Sequence, residues 1–257
     1  MVEINTESPY PVSIVIITLN EETRLPRLLA QLEQQTFQDI QLIVSDSKSN
    51  DHTKEKAEEY RHIWHDFVFY QCGVTKWPGY GRNRWAEQAR HEILLFLDAD
   101  TQLPDEKFLE RTVSYFIKHK YDIAGCYLQA NTTNPFHILW SRITNLFFFI
   151  MHYTKNPLLA WCYILAKKNV HTQLGWFDET IYLGEDSEYA KQAKVHGYKF
   201  GCIPERFIFD MRRVAKKWIR HTTRTYLTWF INVLRHKKML TTDKKKNVEY
   251  EFDIYTK

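Results

Sequence analysis

Short apolar strands that alternate with helices limit the fold of this chain more than any other feature of its sequence. Residues 12–19 are dominated by β-branched apolar side chains. Such runs are typical of strands buried on both faces of a parallel sheet. Further strands are predicted at 40–44, 67–70, 93–97 and 122–128, and helices at about 25–32, 53–60, 82–91 and 105–118. The alternation predicts βαβ units and an α/β fold with a mostly parallel sheet flanked by helices.

Polar side chains stand directly after three of these strands. They are Asn20, Glu21, Asp46, Asp98 and Asp100. Right-handed crossovers bring the ends of parallel strands to one edge of the sheet, and ligands of open α/β sheets bind at the carboxyl ends. We therefore expect these side chains to converge on one cleft. Asn20 is also predicted to cap the first helix.

The second half of the chain is less regular. Helices are predicted at 135–153 and 186–196, and strands at 161–166 and, as one or two short pieces, within 200–210. A long basic amphipathic helix is predicted at about 212–238, and period-2 alternation predicts a strand within 246–257. We expect one catalytic domain over 1–210, with halves at about 1–125 and 126–210, and a C-terminal extension over 211–257.

The composition is that of a soluble globular protein, with 44% hydrophobic and 26% charged residues and a net charge of +4. None of the four cysteines forms a C-x-x-C pair, so we predict reduced, buried thiols in a reducing compartment. No signal peptide is predicted at the N-terminus. No run of about 18 apolar residues occurs, so no membrane-spanning helix is predicted. The expected location is cytoplasmic.

The Asp98-Ala99-Asp100 motif is the clearest candidate for a metal site. Two carboxylates at i and i+2 on an extended segment point the same way. They can share a hard divalent cation, Mg²⁺ or Mn²⁺, that also binds phosphate oxygens. The alternative is a solvated turn whose Asp caps a helix, but the apolar strand that leads directly into the motif favours the metal.

Asp46 and Arg82 are candidates for contacts with a nucleotide. The Asp46 carboxylate can accept hydrogen bonds from a base N–H or from ribose hydroxyls, although an Asp in a turn is the alternative. Arg82 and Asn83 are predicted to open a helix after a loop that contains Gly79 and Gly81. A guanidinium beside a helix N-terminus suits a diphosphate, and an ordinary surface Arg is the alternative.

Asp186 is the candidate general base. It shares one helix face with Ala190, Ala193 and Gly197, and these small residues indicate a face that packs inward. A carboxylate that points inward at a helix start fits a base that takes a proton from an acceptor hydroxyl. Stabilisation of the helix N-terminus by acidic residues is the alternative.

The predicted C-terminal helix carries a basic face. Its members are Arg212, Arg213, Lys216, Lys217, Arg220 and Arg224. A basic amphipathic helix with Trp is typical of binding to an anionic membrane surface. The alternative is a helix packed on the domain with a solvated basic face. No nucleic-acid-binding motif accompanies the charge, so no nucleic-acid partner is predicted.

Five segments in order resemble the motifs of glycosyltransferase family 2, whose fold is the Rossmann-like GT-A fold. They are residues 14–21 (IVIITLNE), 44–53 (VSDSKSNDHT), 82–83 (RN), 96–100 (FLDAD), and 175–179 (GWFDE) followed by 184–186 (GED). The resemblance covers about residues 12 to 205. It implies an inverting, metal-dependent transfer of a sugar from a nucleotide diphosphate, commonly a uridine diphosphate sugar, to a hydroxyl of a saccharide or lipid-linked acceptor.

The resemblance also implies roles for individual residues. Thr18, Asn20, Glu21, Asp46 and Arg82 would line the nucleotide site. Asp98 would approach the ribose and the metal, Asp100 would bind the metal (Mn²⁺ or Mg²⁺), and Asp186 would be the catalytic base. Trp176 and Glu185 would lie on the acceptor side.

Many relatives carry a His after the last core strand, where this chain has Phe209-Asp210-Met211-Arg212. Either Asp210 replaces that His, or Arg212 or Arg213 holds the diphosphate directly.

Two other classes of function are alternatives to sugar transfer. A non-catalytic module of the same fold would bind nucleotide or membrane, but the retained Asp98, Asp100 and Asp186 argue against it. A sugar-phosphate nucleotidyltransferase would need a Gly-rich, Arg-containing loop after the first strand, and residues 18–21 (TLNE) do not provide one.

Overall fold

The structure, a computed structural model, describes residues 10–72, 78–159, 162–210 and 240–241. The strands are β1 (Val12–Thr18), β2 (Ile40–Asp46), β3 (Phe67–Gln71), β4 (Ile93–Asp98), β5 (Ile123–Ala130), β6 (Tyr163–Lys167), β7 (Ile181–Leu183), β8 (Phe200–Phe209) and β9 (Leu240–Thr241). The helices are α1 (Leu25–Glu33), α2 (Thr53–Glu58), α3 (Pro78–Ala86), α4 (Phe108–Lys118), α5 (Pro135–His152), α6 (Lys168–Gln173) and α7 (Glu185–Val195).

Seven strands form the central sheet in the order β3-β2-β1-β4-β6-β5-β8. Every pairing in it is parallel except those of β6, which runs antiparallel to both of its neighbours. The predicted α/β architecture with a mostly parallel sheet is therefore confirmed. Strands β7 and β9 form a separate two-stranded antiparallel sheet.

The middle of the sheet is buried on both faces. Ile14, Val15 and Ile16 follow one another on β1 and have no exposed surface, and residues 94–97 of β4 are equally buried. Because successive side chains point to opposite faces, such strands need an apolar residue at every position. Helix α1 covers one face with Leu25, Leu28, Leu29 and Leu32, all fully buried.

The predicted capping role of Asn20 is wrong. Helix α1 begins at Leu25, after Arg24, and Asn20 has a positive φ of 54°. The Asn20 N–H donates to Ser49 Oγ at 2.8 Å, and Asn20 Oδ1 accepts from the Asn50 N–H at 2.9 Å. Asn tolerates the left-handed conformation, so here it joins the loops after β1 and β2.

The predicted start of the third helix is also wrong. Gly79 and Gly81 lie inside α3, and Arg82 is in its middle instead of at its first turn. A Cβ added to Gly81 would lie 3.1 Å from Ser45 Oγ and 3.3 Å from Ile17 Cγ2. The glycine thus allows α3 to approach the strand ends of β1 and β2 closely, and this gain outweighs the low helix propensity of Gly.

The remaining differences concern short elements and segments. Helix α6 and strands β7 and β9 were not predicted, and residues 200–209 form one continuous strand. Three of the four cysteines are buried, and Cys202 is partly exposed. Among the described residues, no helix has the length and apolarity to cross a bilayer. The helix predicted at 212–238, the strand predicted within 246–257 and the predicted C-terminal extension fall outside the described residues, apart from β9.

The side chain of Asn145 links helix α5 to strand β5. Beyond Gly125, no strand among the described residues pairs with the edge of β5 that faces β6. Asn145 of α5 takes that place: its Oδ1 accepts from the Leu128 N–H at 3.0 Å, and its Nδ2 donates to the Leu128 carbonyl at 2.7 Å. One amide therefore satisfies both backbone groups of Leu128.

Asn145→Ala should lower the free energy of unfolding by about 1–3 kcal/mol, because it leaves a backbone donor and a backbone acceptor without partners. Urea unfolding monitored by circular dichroism measures the change. Gln129→Ala, at an exposed position of the same strand, is the control and should change the value by less than about 0.5 kcal/mol. Equal effects of the two substitutions would contradict this role of Asn145.

Candidate active site

The predicted convergence of polar residues occurs at the carboxyl edge of the sheet. Thr18 at the end of β1 is in register with Asp46 at the end of β2, and Ile17 is in register with Asp98 at the end of β4. Because the three strands are parallel neighbours, their last residues and the loops after them meet at one edge. The structure thus brings together the side chains that the sequence indicated.

Asp46 organises the loop after β2. Its carboxylate has no exposed surface and accepts hydrogen bonds from the Ser49 N–H at 2.9 Å, from the Ser49 hydroxyl, and from Gln71 Nε2 at 2.9 Å. Beside it, Thr18 Oγ1 is buried and has no hydrogen-bond partner among the described residues. A buried hydroxyl without a partner is costly, so a polar ligand at this edge would find a group ready to bind it.

Glu21 and Asp210 lie at the margin of this edge. The Glu21 N–H donates to Thr53 Oγ1 at 2.9 Å, which fixes the chain between β1 and α1. Arg24 bridges the two carboxylates, at 3.4 Å from Glu21 Oε2 and 3.0 Å from Asp210 Oδ2. Asp210 is therefore placed at the site edge. Arg212 and Arg213 lie outside the described residues.

Three potential metal ligands lie close together at the end of β4. One ligand atom each from Asp98, Asp100 and Cys162 falls within 4.8 Å of the other two. Two carboxylates fit Mn²⁺ or Mg²⁺, whereas a thiol is a softer donor that neither ion requires. Cys162 was not expected here; it arrives because β6 pairs antiparallel with β4, with Leu97 opposite Tyr163. No spacing of residues in the sequence predicts the pairing of β6 with β4.

Arg82 is buried between two acidic residues. Its Nη2 donates to Asp98 Oδ1 at 2.9 Å, and its Nη1 donates to Glu185 Oε1. Burial lowers the pKa of Arg82, but the charges of Asp98 and Glu185 raise it by more, so it lies above its ordinary value. The guanidinium, predicted to stand at a helix start, instead joins the end of β4 to the first residue of α7.

Asn83, the next residue of α3, holds the loop before β7. Its Nδ2 donates to the Phe177 carbonyl at 2.8 Å and to Glu179 Oε1 at 3.0 Å, and its Oδ1 accepts from the Phe177 N–H at 2.8 Å. The sequence marked Asn83 only as a neighbour of Arg82. Together, the two residues anchor the loop before β7 to helix α3.

Asp186 points into the protein, as predicted. Its exposed fraction is 1%, and Ala190 and Ala193 on the same face are fully buried. Burial raises the pKa of Asp186 well above its ordinary value, and the charge of Glu185 raises it further, while Arg82 lowers it. Within the described part of the chain, Asp186 Oδ2 has no hydrogen-bond partner. The site thus contains a carboxyl group with high proton affinity.

Trp176 lies in an open groove between α3 and α7. Its backbone has a positive φ of 75°, and its ring packs edge-on against His171 with the centroids 4.8 Å apart. The groove has a volume of about 690 Å³, and Arg84 and Gln192 also line it. Burial lowers the pKa of His171 to about 3, so this imidazole is a neutral part of the core.

Arg82→Gln should lower the free energy of unfolding by about 3–5 kcal/mol, because it leaves the carboxylates of Asp98 and Glu185 without their shared cation. Urea unfolding measures this loss. Arg84→Gln on the same helix is the matched control, since the Arg84 side chain is 58% exposed and should contribute less than about 1 kcal/mol. A loss for Arg82→Gln no larger than that of the control would contradict the described ion pairs.

Asp186→Asn should make the folded protein more stable relative to wild type as pH rises. Below the ordinary Asp pKa of about 4, Asp186 is protonated in both the folded and the unfolded chain. Above it, Asp186 ionises first in the unfolded chain, because burial raises its pKa in the folded protein. The wild type therefore loses stability as pH rises. The Asp186→Asn variant has no ionisable group at this position, so it loses no stability in this way.

Unfolding at about pH 5 and about pH 8 tests this difference. Asp105→Asn is the control: hydrogen bonds from Arg111 lower the pKa of Asp105, so this group is ionised in both the folded and the unfolded chain at both pH values, and its substitution should show no change between them. An advantage of Asp186→Asn that shrinks toward high pH would show that Asp186 is ionised in the folded protein.

Comparison with protein families gives a match over most of this fold. The model of glycosyl transferase family 2 matches residues 13–171. A 4,4'-diaponeurosporenoate glycosyltransferase of Staphylococcus haemolyticus is 31% identical over 142 residues, which are 54% of this chain and 36% of that protein. A GalNAc(5)-diNAcBac-PP-undecaprenol beta-1,3-glucosyltransferase of Campylobacter jejuni is 27% identical over 92 residues, 35% of this chain and 30% of that protein. The matched part thus spans about a third of these relatives.

Solved structures show the same fold. The mannosyltransferase PcManGT of Pyrobaculum calidifontis, in complex with GDP-Man and Mn²⁺, superposes with a TM-score of 0.68 at 17% identity, over 91% of this chain and 67% of that one. Residues 1–349 of S. aureus TarS, in complex with UDP-GlcNAc, give a TM-score of 0.62 at 20% identity, over 91% and 69%. The fold is GT-A, and with the matched motifs at its carboxyl edge the chain belongs to glycosyl transferase family 2.

Proposed function

We propose that this chain transfers a sugar from a nucleotide diphosphate, preferably uridine diphosphate, to a hydroxyl group of a saccharide or lipid-linked acceptor. The main observation in support of the proposal is that one buried cation, Arg82, links two groups of residues with potential roles in catalysis. Arg82 contacts Asp98, beside Asp100, and also Glu185, which adjoins Asp186. Potential metal ligands and a potential base are thereby held in one rigid arrangement.

The donor would lie along the ends of β1, β2 and β4. Thr18 Oγ1 and the loop held by Asp46 and Asn20 would bind the nucleoside, with Glu21 and Arg82 close to the nucleotide. Asp98 and Asp100 would hold Mn²⁺ or Mg²⁺ against the diphosphate. When bound, such an ion stabilises the negative charge that develops on the leaving group.

Asp186 would act on the acceptor. In its ionised form it takes the proton of the attacking hydroxyl, while the oxygen forms a bond to the anomeric carbon and the bond from that carbon to the diphosphate breaks. Attack from the side opposite the leaving group inverts the anomeric configuration without a covalent enzyme intermediate. The raised pKa supports this role, because burial increases the affinity of the Asp186 carboxylate for a proton.

The printed descriptions of relatives support the classes of donor and acceptor. The two solved structures contain GDP-Man and UDP-GlcNAc, and one also contains Mn²⁺. The Campylobacter relative is named for an undecaprenol-linked acceptor. Trp176 and Glu185 are proposed for the acceptor half, where the Glu185 carboxylate acts through its contact with Arg82. We further propose that the protein works as a peripheral protein at the cytoplasmic face of the membrane.

Nucleotide release from a panel of uridine and guanosine diphosphate sugars, with Mn²⁺ or Mg²⁺, tests the proposal. Slow, metal-dependent release from one donor is expected for wild type, and Asp100→Asn should reduce it at least about a hundredfold, as losses of charge-stabilising groups do. Asp105→Asn, in the exposed turn before α4, should leave it unchanged.

Direct binding of UDP in the presence of Mn²⁺ completes the test, because release can require the acceptor. Binding that is lost in Asp100→Asn supports the donor site. If neither release nor metal-dependent binding occurs, the protein is a non-catalytic module with the same fold.

A further inference from the structure

Helix α5 exposes an apolar surface that no other described element covers. Seven large apolar side chains on or just after this helix are between 46% and 70% exposed. They are Phe136, Leu139, Ile143, Leu146, Phe149, Ile150 and Tyr153, called here the α5 stripe. Six of them recur at alternating steps of three and four residues and so lie on one side of the helix. Its opposite side, with Ser141, Phe148 and Met151, is buried against the domain.

The segment that carries the α5 stripe contains basic residues but no acidic ones. No Asp or Glu occurs anywhere between Ile123 and Phe177. Arg142 is exposed on the flank of the stripe, and Lys155 is exposed just beyond its end. An open groove of about 800 Å³ runs beside the stripe, and Arg142, Arg206, Asn145 and Tyr127 are among its lining residues. An apolar surface is therefore bordered by guanidinium groups, which are strong phosphate ligands.

From these observations we propose that the α5 stripe lies on an anionic bilayer, with its apolar side chains among the acyl chains and Arg142 and Arg206 on lipid phosphates. A helix with this length and flanking charge lies in the interface instead of crossing it. The aromatic side chains near its two ends, Phe136 at one and Phe149 and Tyr153 at the other, are typical of the boundary between acyl chains and headgroups.

A second copy of the chain is a poorer occupant of this surface. A symmetric antiparallel pair of α5 helices would be centred near Ile143, because the helix runs from Pro135 to His152. The two Arg142 side chains would then meet near the symmetry axis. Two guanidinium groups without acidic partners would repel each other there, whereas a bilayer that contains phosphatidylglycerol supplies the missing anions.

The inference identifies a surface for the membrane association in the proposed function and rests on that part of it only. Co-sedimentation of the full chain with vesicles of phosphatidylglycerol and phosphatidylcholine in equal parts tests it. Ile143→Gln combined with Ile150→Gln removes two exposed apolar groups and should weaken binding at least about tenfold. Val195→Gln is the matched control, because Val195 is 68% exposed on α7 and should bind as wild type does.

Arg142→Gln should weaken binding to these vesicles and lower its salt dependence, whereas Lys56→Gln on α2 should do neither. Vesicles of phosphatidylcholine alone should bind the wild type more weakly. Circular dichroism checks that each variant is folded. Nucleotide release from a soluble donor, measured without vesicles, should be unchanged in the Ile143 and Ile150 variant, so failure of transfer and failure of membrane binding are separate results.

Two results would overturn the proposal. One is vesicle binding by the Ile143 and Ile150 variant that equals the wild type, with binding lost only when Arg212 to Arg224 are neutralised. The other is a wild-type dimer in analytical ultracentrifugation that the same variant abolishes, without vesicle binding by either protein. The second result would assign the α5 stripe to a second copy of the chain.

Discussion

The buried guanidinium of Arg82 is the interaction on which the rest of the candidate site depends. A charge removed from water is tolerated only with close partners, and Arg82 has one from each half of the domain: Asp98 ends β4, and Glu185 begins α7. The ion pairs thereby fix the proposed metal ligands Asp98 and Asp100 relative to Asp186, and Asn83 anchors the loop before β7 through Phe177. Folding thus sets the distance between the proposed metal site and the proposed base.

The sheet could be predicted because the residue types of its strands indicate that the strands are buried. Uninterrupted apolar runs such as that of β1 indicate strands buried on both faces, and right-handed connections then place their polar ends at one edge. The errors came from local rules that long-range contacts override. Asn20 resembles a helix cap, yet it bonds to Ser49 and Asn50. Gly81 resembles a loop residue, yet it lies in a helix that packs closely on Ser45 and Ile17.

The site itself was predictable only in part, for a related reason. Thr18, Asp46 and Asp98 meet because they end neighbouring parallel strands, and Asp186 turns inward because small residues share its helix face. The pairing of Arg82 with Glu185 joins residues 103 positions apart, and Cys162 reaches Asp98 through an antiparallel strand inserted into a parallel sheet. Periodicity and motif spacing describe one helix or strand at a time, so they do not predict contacts between distant elements.

The central claim is that donor and metal bind at the carboxyl edge of the sheet, opposite the carboxyl group of Asp186. Anomalous diffraction at the manganese edge, from crystals of the full chain with Mn²⁺ and a uridine diphosphate sugar, addresses it most directly. We expect one manganese peak in contact with Asp100 and the diphosphate, the nucleoside beside Asp46 and Thr18, and the anomeric carbon facing Asp186. A nucleotide bound elsewhere, or manganese distant from Asp98 and Asp100, would contradict the account.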